Sequence, residues 1–207
     1  MGQMLYAEFE CRKCGKVVSI EQYKIDRFCP SCGTLLRPRL HPKPWVFQFN
    51  PAIYRWFDRI KENRETEQWL TSRHVRDIRE GDKVAIWASG EKAGVYAIGE
   101  IVTNPRKSPL NPEQEKYWTN KEDIWKFREE YSVIIRYLKV IVDRPVLEDE
   151  CRKDLVLSDM AVLKNPQGTN FPLTKEEWNR ILELMDQNAK CLNTLQKVFP
   201  WSISDKE

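Results

Sequence analysis

The sequence predicts an α+β protein: a small metal-binding module at the N-terminus, then a compact domain of strands with flanking helices. Three observations point there. Two C-x-x-C pairs stand close together near the start, at Cys11/Cys14 and Cys29/Cys32. A proline-rich basic run, RPRLHPKP at residues 37–44, follows them with no apolar periodicity and marks a boundary. Beyond it, short β-branched and aromatic runs alternate with stretches of helical apolar spacing. The expected organisation is a module at 1–40, a main domain at 41–190 and a C-terminal tail at 191–207.

The paired cysteines supply four thiolates, the donor set that tetrahedral Zn²⁺ takes. A thioredoxin-like redox site would need one pair, and a cytosolic chain rarely carries structural disulfides. Gly15 and Gly33 trail the pairs, and glycine lets the chain turn tightly so that backbone N–H groups face the sulfurs. Residues 11–33 resemble a zinc ribbon. Four sulfurs close the coordination shell, so the expectation is one structural zinc per chain, held by Cys11, Cys14, Cys29 and Cys32. The ribbon either caps the next domain or touches a nucleic-acid backbone through Arg12, Lys13, Lys16, Lys24, Arg27, Arg37 and Arg39. Cys151 and Cys191 are expected to be ordinary thiols.

The main domain reads as follows. WVFQF at 45–49 is a strand with Trp45, Phe47 and Phe49 on one face. Asn50-Pro51 signals a helix start, and Ile53, Trp56, Phe57 and Ile60 then fall at helical spacing. The polar stretch KENRETEQ leads to Trp69 and a short helix ending before Gly81. KVAIWAS at 83–89 and VYAIGEIV at 95–102 are strands joined by the turn GEKAG. A polar excursion over 103–130 carries Tyr117, Trp118, Trp125 and Phe127. YSVIIRYLKVIV at 131–142 is the longest strand candidate, and 155–166 holds a short helix or turn. Thr174 with Glu177 forms a capping box, and Trp178, Ile181, Leu182 and Met185 give the stripe of a last helix.

Composition narrows the function classes. The chain has 207 residues, 41% of them hydrophobic and 11% aromatic, and can build a real core. Lys+Arg 34 against Asp+Glu 31 gives a net charge of only +3, so contact with nucleic acid has to come from a local patch and a specific pocket. MGQMLYAEFEC lacks the basic and apolar regions of a signal peptide, and no run approaches the ~18 apolar residues of a membrane span. A cytoplasmic location without membrane partners is expected. No P-loop or G-x-G-x-x-G motif occurs. The histidines are His41 and His74, and neither sits in a catalytic pattern, so no catalytic residue is assigned.

The order of motifs resembles the EVE domain of the PUA-like superfamily. Trp45-Val46-Phe47, Trp69, GDKVAIWAS from Gly81 to Ser89 and Ile98-Gly99-Glu100-Ile101-Val102 carry the match. Asn165-Pro166-Gln167-Gly168-Thr169-Asn170-Phe171 and Thr174-Lys175-Glu176-Glu177-Trp178 resemble the end of EVE domains fused to McrB-like restriction GTPases. The match spans residues 44–186. It implies a PUA-like β-barrel with flanking helices. The family is related to YTH readers of N6-methyladenine, and members are thought to hold a flipped modified base in an aromatic pocket. This chain carries no motor domain and adds the ribbon, so a separate motor or nuclease subunit is a possible partner.

The resemblance implies a site. Trp69 falls where YTH domains place a cage tryptophan, and Trp118 stands where a second wall is expected, with Tyr117 or Trp125 as substitutes. Asn50 can donate to and accept from a base edge, or serve only as a helix cap. Ser89 ends the central strand, and Trp87 shares its face if the strand is regular. Arg73 and Arg76, after Trp69, suit phosphates. Trp45, Trp56 and Trp178 read as core. A flipped base loses stacking worth a few kcal/mol, which an aromatic face restores at ~1–3 kcal/mol; a buried methyl group adds about 0.8 kcal/mol. The expectation is therefore a non-enzymatic reader of a methylated base in DNA, serving prokaryotic modification-dependent restriction. The alternatives are an RNA or tRNA reader, an enzyme acting on nucleobases or RNA, and an interaction module whose ribbon docks a partner.

Overall fold

The computed structural model describes residues 6–11, 13–14, 17–21, 28–35, 37–38, 42–62 and 64–198, with the backbone course alone for 6–8, 10, 17–21, 37–38 and 189–198. The chain divides into two compact units, Met1–His41 and Pro42–Glu207.

In the first unit β1 (Tyr6–Glu10) pairs antiparallel with both β2 (Val17–Glu21) and β3 (Arg37–Pro38). Phe9 is buried and packs with Cys11 and Cys29 in a small core of its own.

The second unit is built on a seven-stranded sheet. Its strands are β4 (Pro44–Phe49), β5 (Thr66–Leu70), β6 (Lys83–Ala88), β7 (Gly94–Ile101), β8 (Ser132–Val140), β9 (Val146–Leu147) and β10 (Asn170–Pro172). The order is β10-β4-β6-β7-β8-β5, with β9 added to β7. β4 and β6 run parallel, and the other neighbours run antiparallel. The sheet curls into a half-barrel whose two edge strands approach: the buried Asn170 of β10 donates from Nδ2 to the Leu70 carbonyl of β5 at 3.2 Å. Glycine permits this curvature at Gly99, where a Cβ would stand 2.6 Å from the Arg136 carbonyl, next to a register shift between β7 and β8.

Alternation along the strands splits the apolar residues between two cores. Trp45, Phe47 and Phe49 of β4 join Val84 and Ile86 of β6, Trp69 of β5 and Ile135 of β8 inside the curl. Val46, Ala85 and Trp87 face the other way, against a helical layer. That layer comprises α4 (Glu148–Lys153), α5 (Ala161–Lys164) and α6 (Lys175–Val198). The capping box at the start of α6 is present: Thr174 N donates to Glu177 Oε2 at 2.6 Å, and Glu177 N to Thr174 Oγ1 at 3.1 Å. Among the described residues no helix is long and apolar enough to cross a membrane.

The segments between strands differ most from the sequence expectation. Asn50 caps a turn rather than a helix, its Oδ1 accepting from Ala52 N at 2.9 Å. Helix α1 spans only Trp56–Arg59 and tightens into a 3-10 turn at Ile60–Glu62. Trp69 lies on a strand, and no α-helix follows it. Residues 71–82 form turns in which His74 takes a positive φ of 56°, a conformation that ends helical propagation. The excursion after β7 contains α2 (Pro112–Glu115) and α3 (Lys121–Glu129), each capped by an asparagine, Asn111 and Asn120.

Candidate nucleic-acid interface

The four cysteines of the first unit converge. Their Sγ atoms all lie within 4.8 Å of one another. Cys11–Cys32 and Cys14–Cys29 are separated by 3.4 and 3.5 Å, too far for disulfides and close to the spacing of a tetrahedral thiolate site. Gly33 takes φ 68° and donates its N–H to the Cys29 carbonyl at 2.9 Å, the tight turn that a knuckle requires. The Thr34 hydroxyl and backbone lower the Cys32 thiol to about 6, which favours the thiolate a metal needs. The donor set fits a closed four-sulfur metal site, and among the described residues these four make up the cluster.

In the second unit, a cleft of about 480 Å³ opens where the parallel strands β4 and β6 end. Asn50 and Ser89 both line it, together with the half-buried Phe57 and with Tyr96, which is 4% exposed and belongs to the inner core. Asn50 is exposed. Ser89 is fixed by its N–H and Oγ, which donate to the Phe49 carbonyl at 2.9 and 3.1 Å. Phe57 meets Tyr96 edge to face at 4.9 Å, and Phe57 in turn rests on Phe49 at 5.8 Å. Lys92, Glu91 and Val142 are among the other residues that line it.

The tryptophans expected at the site do not line this cleft. Trp69 is 6% exposed and sits in the inner core, edge-on to Phe47, Phe49 and Tyr54. Trp118 is half-buried, stacked on Tyr54 at 4.6 Å, and its indole N–H has no hydrogen-bond partner among the described residues. Both tryptophans therefore contact one ring, Tyr54. Trp87 is buried in the core on the helix side. Arg73 and Arg76 are exposed on the turns after β5.

Sequence reasoning missed Phe57 and Tyr96, whose spacing marks them only as core. It also missed a buried polar cluster. Glu67 shares a face of β5 with Trp69, and its carboxylate accepts hydroxyl hydrogen bonds from Tyr54 and Tyr137. Tyr137 itself accepts from the indoles of Trp56 and Trp69 at 2.9 and 3.1 Å. The buried Arg59 reaches Glu67 at 3.5 Å and Glu62 at 2.6 Å. Burial pushes the Glu67 carboxyl up, while hydrogen bonds from Lys116 and Tyr117 pull Glu62 down to about 2. Tyr137 is raised well above its usual value, by burial first and by Glu67 second, so it remains a phenol. The cluster is enclosed, and its chemistry is that of a rigid polar support for the barrel interior.

A half-barrel sheet with helices packed on one face is a PUA-like fold. The chain belongs to the EVE domain family, whose profile matches residues 43–184. Solved structures share the fold. A hypothetical protein from Leishmania major is 19% identical with a TM-score of 0.55, covering 72% of this chain and 98% of its own. A protein from Pseudomonas syringae is 18% identical with a TM-score of 0.52, covering 68% and 98%. Human THYN1, solved in complex with DNA containing 5-methylcytosine, is 18% identical with a TM-score of 0.50, covering 69% and 96%. A search of curated proteins gives no match.

Proposed function

We propose that this chain reads a methylated base in DNA, without catalysis, by taking the flipped base into the cleft at the ends of β4 and β6. The observation that carries this is the meeting of Asn50 and Ser89 with the half-buried Phe57 around about 480 Å³, with Tyr96 backing Phe57 from the core. A volume of that order suits a small ligand. The Phe57 ring supplies stacking to replace part of what the base loses on leaving the duplex. Asn50 offers both a donor and an acceptor to the base edge. Trp69 supports the Phe57 wall from within, through Phe49. The fold likeness to human THYN1, itself solved with methylated DNA, favours DNA over RNA.

In this reading the four cysteines hold one structural zinc, and Arg73 and Arg76 meet phosphates. The chain acts as the specificity module of a prokaryotic restriction system whose motor or nuclease is a separate subunit. The test is a binding panel on the whole chain: DNA and RNA oligonucleotides, each unmodified, with 5-methylcytosine and with N6-methyladenine. A preference for one methylated DNA that Asn50→Ala and Phe57→Ala both reduce supports the proposal. Equal affinity across the panel, or a preference that survives both changes, overturns it.

A further inference from the structure

Three loop segments of the second unit are tied together beside the edge strand β5. Thr71 N donates to the Tyr131 carbonyl at 2.8 Å, and Glu80 N to Asn104 Oδ1 at 3.3 Å. Arg106 and Ser132 exchange two backbone hydrogen bonds, 3.0 and 2.9 Å. The segments so joined carry Arg73 and Arg76, then Arg106 and Lys107, then Tyr131, all of them exposed. None of these three arginines has an ion-pair partner among the described residues. The Lys107 ammonium lies 5.8 Å from the centroid of the Tyr131 ring, which is 42% exposed.

Acidic side chains stand in the same segments: Asp77 and Glu80 in the turns after β5, and Glu129 and Glu130 next to Tyr131. Asp77 faces His74 at 4.0 Å. Asp82 is buried and accepts from Lys43 N, Trp45 Nε1 and Arg79 N at 2.8–2.9 Å. Glu80 is the remaining exposed acid of the 71–82 turns. Unpaired guanidinium and ammonium groups on one tied surface, with an aromatic ring among them, match the chemistry of a sugar-phosphate backbone: phosphates for the cations, and a sugar or base face for the ring. In a protein with a net charge of only +3, such a cluster gives the local patch that binding to nucleic acid requires.

We infer that Arg106, Lys107 and Tyr131, together with Arg73 and Arg76, form a surface that grips the DNA strand flanking the read base. This rests on the proposed reading of DNA and extends it to residues outside the cleft. The surface sets affinity and salt dependence, and the cleft sets preference among bases.

The experiment uses the whole chain, a duplex with one 5-methylcytosine, and the same duplex unmodified, titrated from 50 to 200 mM salt. Arg106→Ala with Lys107→Ala should weaken both duplexes by the same factor and reduce the slope of log K against log salt by about 2. Tyr131→Ala should lower affinity with the slope unchanged. Arg106→Lys with Lys107→Arg should restore the slope. Removing two cations from the helical layer, Lys153→Ala with Lys175→Ala, should leave the slope as in the wild type. An unchanged slope in the Arg106/Lys107 variant, or an equal loss in the Lys153/Lys175 variant, overturns the inference. A preserved methyl preference with an unchanged slope removes this surface and keeps the reader. A slope change without any methyl preference removes the reader and keeps the surface. No binding of either duplex at the lowest salt removes both.

Discussion

Asn170 donates its side-chain amide to the Leu70 carbonyl at 3.2 Å and so joins the two edges of the curled sheet. Beside it the hydroxyls of Ser72 and Thr169 lie 2.5 Å apart. Asn170 is fully buried, and its Oδ1 accepts from the Thr169 hydroxyl at 2.8 Å. Asn170→Ala removes the donor and leaves the Leu70 carbonyl unpaired inside the protein. The expected cost is about 1–3 kcal/mol in urea unfolding. Ser72→Ala, at an exposed position, should cost far less. Equal costs would mean that the seam is held by packing alone.

Most of the sheet is legible in the sequence because β4, β6 and β7 are apolar on both faces and β8 is buried over its first half. β4, β6, β7 and β8 read as runs of Val, Ile and aromatic residues, and buried runs of that length between glycines have few other solutions. The cysteine pairs and the Thr174/Glu177 box are legible because each fixes its chemistry by spacing. β5 is not legible. Glu67 and Gln68 read as solvent-facing, yet both are buried, because Tyr54, Tyr137, Gln114 and Ser132 supply their hydrogen bonds. Polar partners from distant segments leave no local trace. The cleft is half legible for the same reason. Asn50 and Ser89 stand out at strand ends, whereas Phe57 and Tyr96 come together only through the fold.

Glu62 and Glu67 should give opposite pH dependences of stability. Glu62 is held at about 2, first by Lys116 and then by Tyr117, below the ordinary carboxyl value of 4.5. Its contribution is complete above that ordinary value and is lost as pH falls towards 2. Glu67 is raised by burial. Its contribution is complete below the ordinary value and is lost as pH rises through the folded value. Melting curves between pH 3 and 8 check this. The gap between wild type and Glu62→Gln should narrow as pH falls, and Glu67→Gln should lose least to the wild type at the upper end. Parallel curves for both variants would show that neither group is shifted.

Metal content gives a separate test. Protein purified without added metal should carry about one zinc per chain, and Cys14→Ser or Cys29→Ser should lose it. A strong chelator should unfold the first unit, because metal binding is folding energy for a module this small. The second unit, with its own two cores, should keep its melting transition. All four thiols titrating freely in the untreated protein would exclude the site.

The aromatic residues divide into cleft walls and core supports, and one pair of measurements separates them. Trp69 is buried in the inner core and donates to Tyr137, so Trp69→Ala should cost about 3–5 kcal/mol of stability. Phe57 is half-buried and lines the cleft. Phe57→Ala should weaken methylated DNA by about 1–3 kcal/mol, one to two decades in affinity. Its effect on unmodified DNA should be smaller, because no flipped base needs the wall there. Trp118 distinguishes a third role. Its ring stacks on Tyr54 and meets Phe127 edge to face at 5.4 Å, and its buried indole N–H lacks a partner among the described residues. Trp118→Phe keeps the stacking and removes the orphaned donor, so stability should hold or rise slightly. A loss of methylated-DNA binding in Trp118→Phe with stability unchanged would instead assign that N–H to the ligand and place the base against Trp118 rather than in the Phe57 cleft.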